Sequence, residues 1–108
     1  MSAPHFLLAL MNKHDAETFA QYQAGAVQTL SAYEMAPVAV TSAIEVEEGE
    51  LEANMLVLIR FSDEDEFRRW WTSSEYAKVQ PLREKSAETV FAITFPGALE
   101  LPSGAAPA

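Results

Sequence analysis

The chain contains no cysteine, which excludes disulfides, thiolate nucleophiles and cysteine-ligated metals. Glycine is nearly as scarce: four residues, at 25, 49, 97 and 104, lie too far apart to make a phosphate-cradling loop. There are two histidines, His5 and His14, with no HExxH or HxH spacing; neither a metal centre nor a tightly bound cofactor is expected. Basic residues are few, seven against sixteen acidic ones for a net charge of −9. That field repels phosphate backbones and anionic membrane surfaces, so neither nucleic acid nor membrane is an expected partner. Long apolar runs are also missing. The first fifteen residues hold only FLLALM (6–11) with no basic residue before it, short of a signal-peptide core or the about 20 residues of a membrane span. A cytoplasmic location is the expectation.

What remains is an ordinary globular composition, 49% apolar over 108 residues, the size of one domain. Phe6–Met11 reads as a strand buried on both faces. Asn12-Lys13-His14 makes a turn, and Asp15 is a good N-cap with Glu17 in the first turn of a helix reaching about Ala32. Phe19, Tyr22, Ala26, Leu30 and Tyr33 recur at spacings of three and four, on one face of that helix. Gly25 lies inside the pattern, costing about 1 kcal/mol relative to alanine unless another backbone packs closely there. Val38–Val46 alternates as a strand with one wetter face. Glu47-Glu48-Gly49-Glu50 is a charged turn, and Met55–Ile59 a second strand of continuous apolar character.

The stretch from Phe61 to Arg83 carries most of the remaining information. Ser62 is expected to cap a helix with Asp63, Glu64, Asp65 and Glu66 in its first turn. Glu64–Arg68 and Asp65–Arg69 are i,i+4 pairs in the favourable order, each contributing about 0.2–0.5 kcal/mol. Phe67, Trp70 and Trp71 form the apolar side. Thr72-Ser73-Ser74 breaks the helix, Ser74 caps a second piece to about Ser86, and Pro81 predicts a kink or a 3₁₀ turn within it. Thr89–Phe95 is the last strand. The domain is expected over residues 1–97, with 98–108 a flexible tail whose only anchors would be Leu99 and Leu101.

The order strand-helix-strand-strand-helix-strand is that of a ferredoxin-like βαββαβ sandwich of the α+β class. It implies a four-stranded antiparallel sheet with two helical segments on one face. Three strands are apolar at odd and even positions alike, so the uncovered face also calls for burial. Leaving several Leu, Ile and Phe side chains wet would forgo roughly 1.5–3 kcal/mol each. A homodimer packed sheet to sheet is the simplest cover, the alternative being a monomer covered by its own tail or crossover loop.

Glu48-Gly49, Val57–Ser62, Trp70-Trp71, Ser73-Ser74-Glu75-Tyr76 and Leu82-Arg83, in that order, resemble the domain of unknown function family DUF1330. Asp15 at a helix start and Tyr22 seven residues on fit as well, and the resemblance spans about residues 5–97. It implies a dimeric α+β barrel with a pocket between sheet and helices, on a fold whose other members range from cofactor-independent monooxygenases to lactone isomerases and haem-handling enzymes. The chain departs from the pattern at Glu34-Met35, where the family has Gly-Gly, and at Val40-Thr41-Ser42, where Arg-Gly-Gly is usual.

The candidate functional residues follow from chemistry and position. Tyr22 and Tyr33 lie on the sheet-facing stripe of the first helix, as core rings or as pocket donors. Trp70 and Trp71 point about 100° apart, so one can pack on the sheet while the other, with Trp71 the ligand-binding candidate, lines a pocket edge or meets the partner chain. Tyr76 and Arg83 are two helical turns apart and share a face. Arg83 can clamp a carboxylate or enolate-like ligand, or pair with an acidic residue. His5, just before the first strand, is a weak candidate base at a barrel mouth, and Tyr76 and Arg83 are the other weak catalytic candidates; His14 reads as a surface turn residue. Two functions remain: a pocket, lined by Tyr22, Tyr33, Trp71, Tyr76 and Arg83, that binds or transforms a small organic molecule, or a non-enzymatic dimeric module in which these side chains only build core and interface.

Overall fold

In the computed structural model, which describes residues 3–100, the elements run β1 (His5–Lys13), α1 (Ala16–Leu30), β2 (Met35–Thr41), β3 (Met55–Phe61), α2 (Glu64–Trp71), α3 (Ser74–Ser86) and β4 (Ala87–Pro96). The four strands form one antiparallel sheet in the order β2-β3-β1-β4. This is the ferredoxin-like α+β fold expected, with its second helical stretch divided into α2 and α3.

The caps show why the helices start where they do. The Asp15 carboxylate accepts the Thr18 backbone N–H and its hydroxyl, bonds that hold its pKa below the usual value. Asp63, not Ser62, caps α2 by accepting from the Glu66 N–H at 2.8 Å. Ser62 instead gives its backbone N–H to the Glu34 carbonyl, next to the start of β2. Ser73, not Ser74, caps α3. Pro81 sits inside α3, which stays α-helical from Ser74 to Ser86.

Two further expectations need correction. The strand foreseen over Val38–Val46 runs from Met35 and stops at Thr41. β3 begins at Met55, so Thr41↔Leu56 is the last rung of its ladder and residues 42–54 have no strand to pair with. Gly49 there has a φ of 87°, a conformation that glycine adopts without a Cβ penalty. Arg69 pairs with Glu66 rather than Asp65, while Glu64–Arg68 forms at 3.7 Å. The reason is burial: the Glu66 carboxylate is 6% exposed and also accepts the Glu34 N–H at 2.7 Å, tying α2 to the β2 entry.

The strand register sorts the side chains onto two faces. Leu7, Ala9, Met11, Val57, Ile59 and Phe61 face the helices and build the core with Phe19, Tyr22, Ala26, Leu30, Phe67, Trp70 and Tyr76. The opposite face carries Phe6, Leu8, Leu10, Leu56 and Leu58, and beside them Phe91, Ile93 and Phe95, which are exposed. Phe6 and Phe95 stack there at 5.5 Å. Among the described residues no helix is long and apolar enough to cross a membrane. Residues 98–100 form no regular element and Leu99 is exposed; Leu101 and the rest of the expected tail lie outside the described residues.

Candidate functional site

A cavity of about 180 Å³ opens between the sheet and the helices. Its floor is the odd-numbered side of the sheet, with Leu7, Ala9 and Met11 from β1 and Val57 and Ile59 from β3. Its far wall is aromatic. Trp70 is buried at 2%, its indole Nε1–H donates to Thr29 Oγ1 at 2.9 Å, and its ring centroid lies 4.2 Å from that of Tyr76. Trp71 is half-buried and stacks on Phe67 at 5.6 Å. Val27 of α1 and Val40 of β2 line the cavity yet are exposed, which sets its mouth between that helix and the edge strand.

Apart from Gln23, the wall is apolar except at one end, where three polar side chains join. The Tyr22 and Tyr76 hydroxyls are 3.0 Å apart, and Arg83 Nη1 donates to the Tyr76 hydroxyl at 3.2 Å. The Arg83 guanidinium also lies over the Trp71 ring, 5.7 Å from its centroid. Tyr22 comes from α1, whereas Tyr76 and Arg83 share a face of α3. The two helices approach closely because Gly25 leaves room for Val79: a Cβ at 25 would come within 2.6 Å of Val79 Cγ1. Burial raises the Tyr76 pKa well above the usual tyrosine value, and the neighbouring Tyr22 adds to this, while Arg83 opposes it. Tyr76 is therefore a neutral hydroxyl at physiological pH, a donor and acceptor rather than a phenolate. Arg83 Nε is buried and has no hydrogen-bond partner among the described residues, and no carboxylate pairs with the guanidinium there.

Of the residues singled out from the sequence, Tyr22, Trp71, Tyr76 and Arg83 line this one cavity. Tyr33 does not; half-buried, it packs against the edge of the core. His5 is also elsewhere, at the sheet end against Phe67 with ring centroids 5.8 Å apart, its Nε2 buried and without a partner. Sequence reasoning passed over Gln23, Met35 and Trp70 as lining residues. Gln23 adjoins Tyr22 on the flank of the buried stripe, and that adjacency was the available signal; Met35 was marked only as part of Glu34-Met35, where the family pattern has Gly-Gly, and not as a lining residue. Chemically, the cavity offers hydrogen-bond donors and a positive charge at one end of an apolar chamber. No Asp, Glu or His lines it. Among the described residues no cluster of three or more His, Asp or Glu is arranged to hold a metal ion.

No curated protein matches this chain. Among solved structures it is similar to the methylated RPA0582 protein of Rhodopseudomonas palustris, with a TM-score of 0.74 and 13% identity over 97% of this chain and 86% of that one. It is also similar to SnoaB from Streptomyces nogalater, described as a cofactor-independent oxygenase, with a TM-score of 0.66 and 16% identity over 94% of this chain and 100% of that one. A dimeric ferredoxin-like protein of unknown function from Thermobifida fusca matches with a TM-score of 0.60 and 14% identity over 89% of this chain and 92% of that one. At these identities the likeness is one of fold. The family model for the domain of unknown function DUF1330 matches residues 4–95, nearly the whole described chain, and the protein belongs to that family.

Proposed function

We propose that this protein binds, or acts on, a small organic molecule in the sheet–helix cavity, as a single ferredoxin-like domain paired with a second copy through the open sheet face. The observation that carries the reading is the convergence of Tyr22, Trp71, Tyr76 and Arg83 on one apolar chamber. A side chain set that served only as packing would fill the space it encloses, since protein interiors hold few voids larger than a water molecule. SnoaB supports the reading by analogy, because a fold of this type carries out chemistry on a substrate there. The dimer is supported by the apolar residues of the open face and by the Thermobifida fusca protein, which is dimeric.

Methionine methyl groups give a direct test of the chamber. Met11 and Met35 line it, whereas Met55, the cross-strand partner of Met11, is buried in the core and does not. In a spectrum of protein carrying 13C-methyl methionine, titration with small aromatic fragments is expected to move the Met11 and Met35 signals more than that of Met55. Fragments that move none of the three, or Met55 alone, would count against the cavity as a binding site.

A further inference from the structure

We infer that the ligand is a compact monocarboxylate with an apolar body of about one six-membered ring, held by Arg83 at the polar end of the cavity. The inference rests on the small-molecule reading above and narrows it to a chemical class.

Size comes first. A closed apolar cavity of about 150 Å³ accommodates benzene; the chamber here is about 180 Å³ and opens between Val27 and Val40. One ring with a short substituent fits, and a fused polycyclic body does not unless most of it stays outside.

The hydrogen bonds at the polar end restrict the ligand's chemistry further. Arg83 can only donate, so Tyr76 accepts its N–H. Tyr22 and Tyr76 share one hydrogen bond, which uses one of their two hydroxyl protons. The other hydroxyl proton has no acceptor in this set, and the guanidinium has no carboxylate partner among the described residues. Tyr76 keeps its proton, so it cannot neutralise the guanidinium as a phenolate would. A group complementary to this end carries negative charge and offers at least two acceptor lone pairs. A carboxylate satisfies both requirements. A neutral alcohol or amide brings no charge, and an amine is repelled.

The cavity has no carboxylate or imidazole with which to ionise a weak acid. The ligand must therefore arrive already ionised, as a carboxylic acid is at neutral pH. The Trp71 ring over which the guanidinium lies completes the arrangement: it holds the charged group against a face rather than free in solvent.

The test compares benzoate with benzyl alcohol and benzamide, which share its ring but lack its charge, using quenching of the fluorescence of Trp70 and Trp71. Benzoate is expected to bind at least about tenfold tighter than either neutral probe, the difference a charge-assisted hydrogen bond makes. In Arg83→Gln that preference should disappear, and Arg83→Lys, which keeps the charge but not the planar fork, should retain only part of it. Circular dichroism establishes that both variants fold; should Arg83→Gln not fold, the Lys variant and the wild-type comparison carry the test. Equal affinity for all three probes in the wild type, or an undiminished benzoate preference in Arg83→Gln, overturns the carboxylate inference while leaving the cavity a binding site. Failure of every probe to bind the wild type overturns both.

Discussion

The buried phenol of Tyr76 gives a direct experimental readout. Its hydroxyl is buried between Tyr22 and Arg83 and its pKa is raised above the ordinary 10.0. In the unfolded chain the same phenol ionises near that ordinary value. Between the two values the folded state holds a proton that the unfolded state has released. The linkage therefore leaves stability intact below pH 10 and erodes it as pH rises beyond, by up to about 1.4 kcal/mol per pH unit. Tyr76→Phe removes this group from the balance. Urea denaturation at several pH values from 9 to 11 is expected to show a shallower alkaline loss of stability in the variant, on a lower starting value because two hydrogen bonds are gone. Parallel curves would mean that Tyr76 ionises alike in both states.

At the level of elements, Gly25 shows how packing outweighs propensity. Alanine is better than glycine in a helix by about 1 kcal/mol, yet a Cβ at 25 would meet Val79 Cγ1 at 2.6 Å. Overpacking of this kind costs about 1–3 kcal/mol, so Gly25→Ala is expected to destabilise despite its propensity. Combined with Val79→Ala, which removes the obstructing methyl groups, the alanine should be tolerated, giving a coupling of about 1 kcal/mol or more in a double-mutant cycle read by thermal unfolding. Strict additivity would show that α1 and α3 separate freely. The close approach at Gly25 was legible as an alternative in the sequence, because glycine inside a helical pattern calls for a reason. So were the four strands and the stripe Phe19–Tyr22–Ala26–Leu30, since burial periodicity is a local property. The end of β2 at Thr41 was not, because the alternation continues to Val46 and only the start of β3 decides where its ladder stops. The same limit applied to the site. Tyr76 and Arg83 could be placed on one face from their spacing, but their meeting with Tyr22 depends on how α1 packs on α3. The pairing of buried Glu66 with the Glu34 N–H is likewise a contact between elements that no spacing reveals.

The whole molecule presents an imbalance between its two sheet faces. Helices cover one, and the other leaves Phe91, Ile93 and Phe95 exposed at 36%, 47% and 37%, beside half-buried Phe6, Leu8, Leu56 and Leu58. These residues are contiguous across three strands, since Leu8 pairs with Leu58 on one side and Ile93 on the other. A patch of this kind calls for a partner surface, and the same face of a second copy supplies one that is self-complementary under two-fold symmetry. Each large apolar side chain removed from water there contributes about 1.5–3 kcal/mol before the cost of association. The net charge of −9 opposes pairing, but Arg60 is the only charged side chain that the register brings to this face on β1 and β3. Sedimentation equilibrium of the wild type is expected to give twice the chain mass of 11.9 kDa. Ile93→Glu, at the middle of the patch, would bring two carboxylates into an apolar interface and should shift the equilibrium towards the monomer by at least about a hundredfold in Kd, a change of about 2.7 kcal/mol. Val27→Glu introduces the same charge at a more exposed site beside the cavity mouth, on the helix-covered side. It is expected to leave the mass unchanged, which separates loss of the interface from a general effect of added charge. A wild type that sediments as a monomer, or an Ile93→Glu variant that dimerises as well as the wild type, would remove the sheet face as the assembly surface.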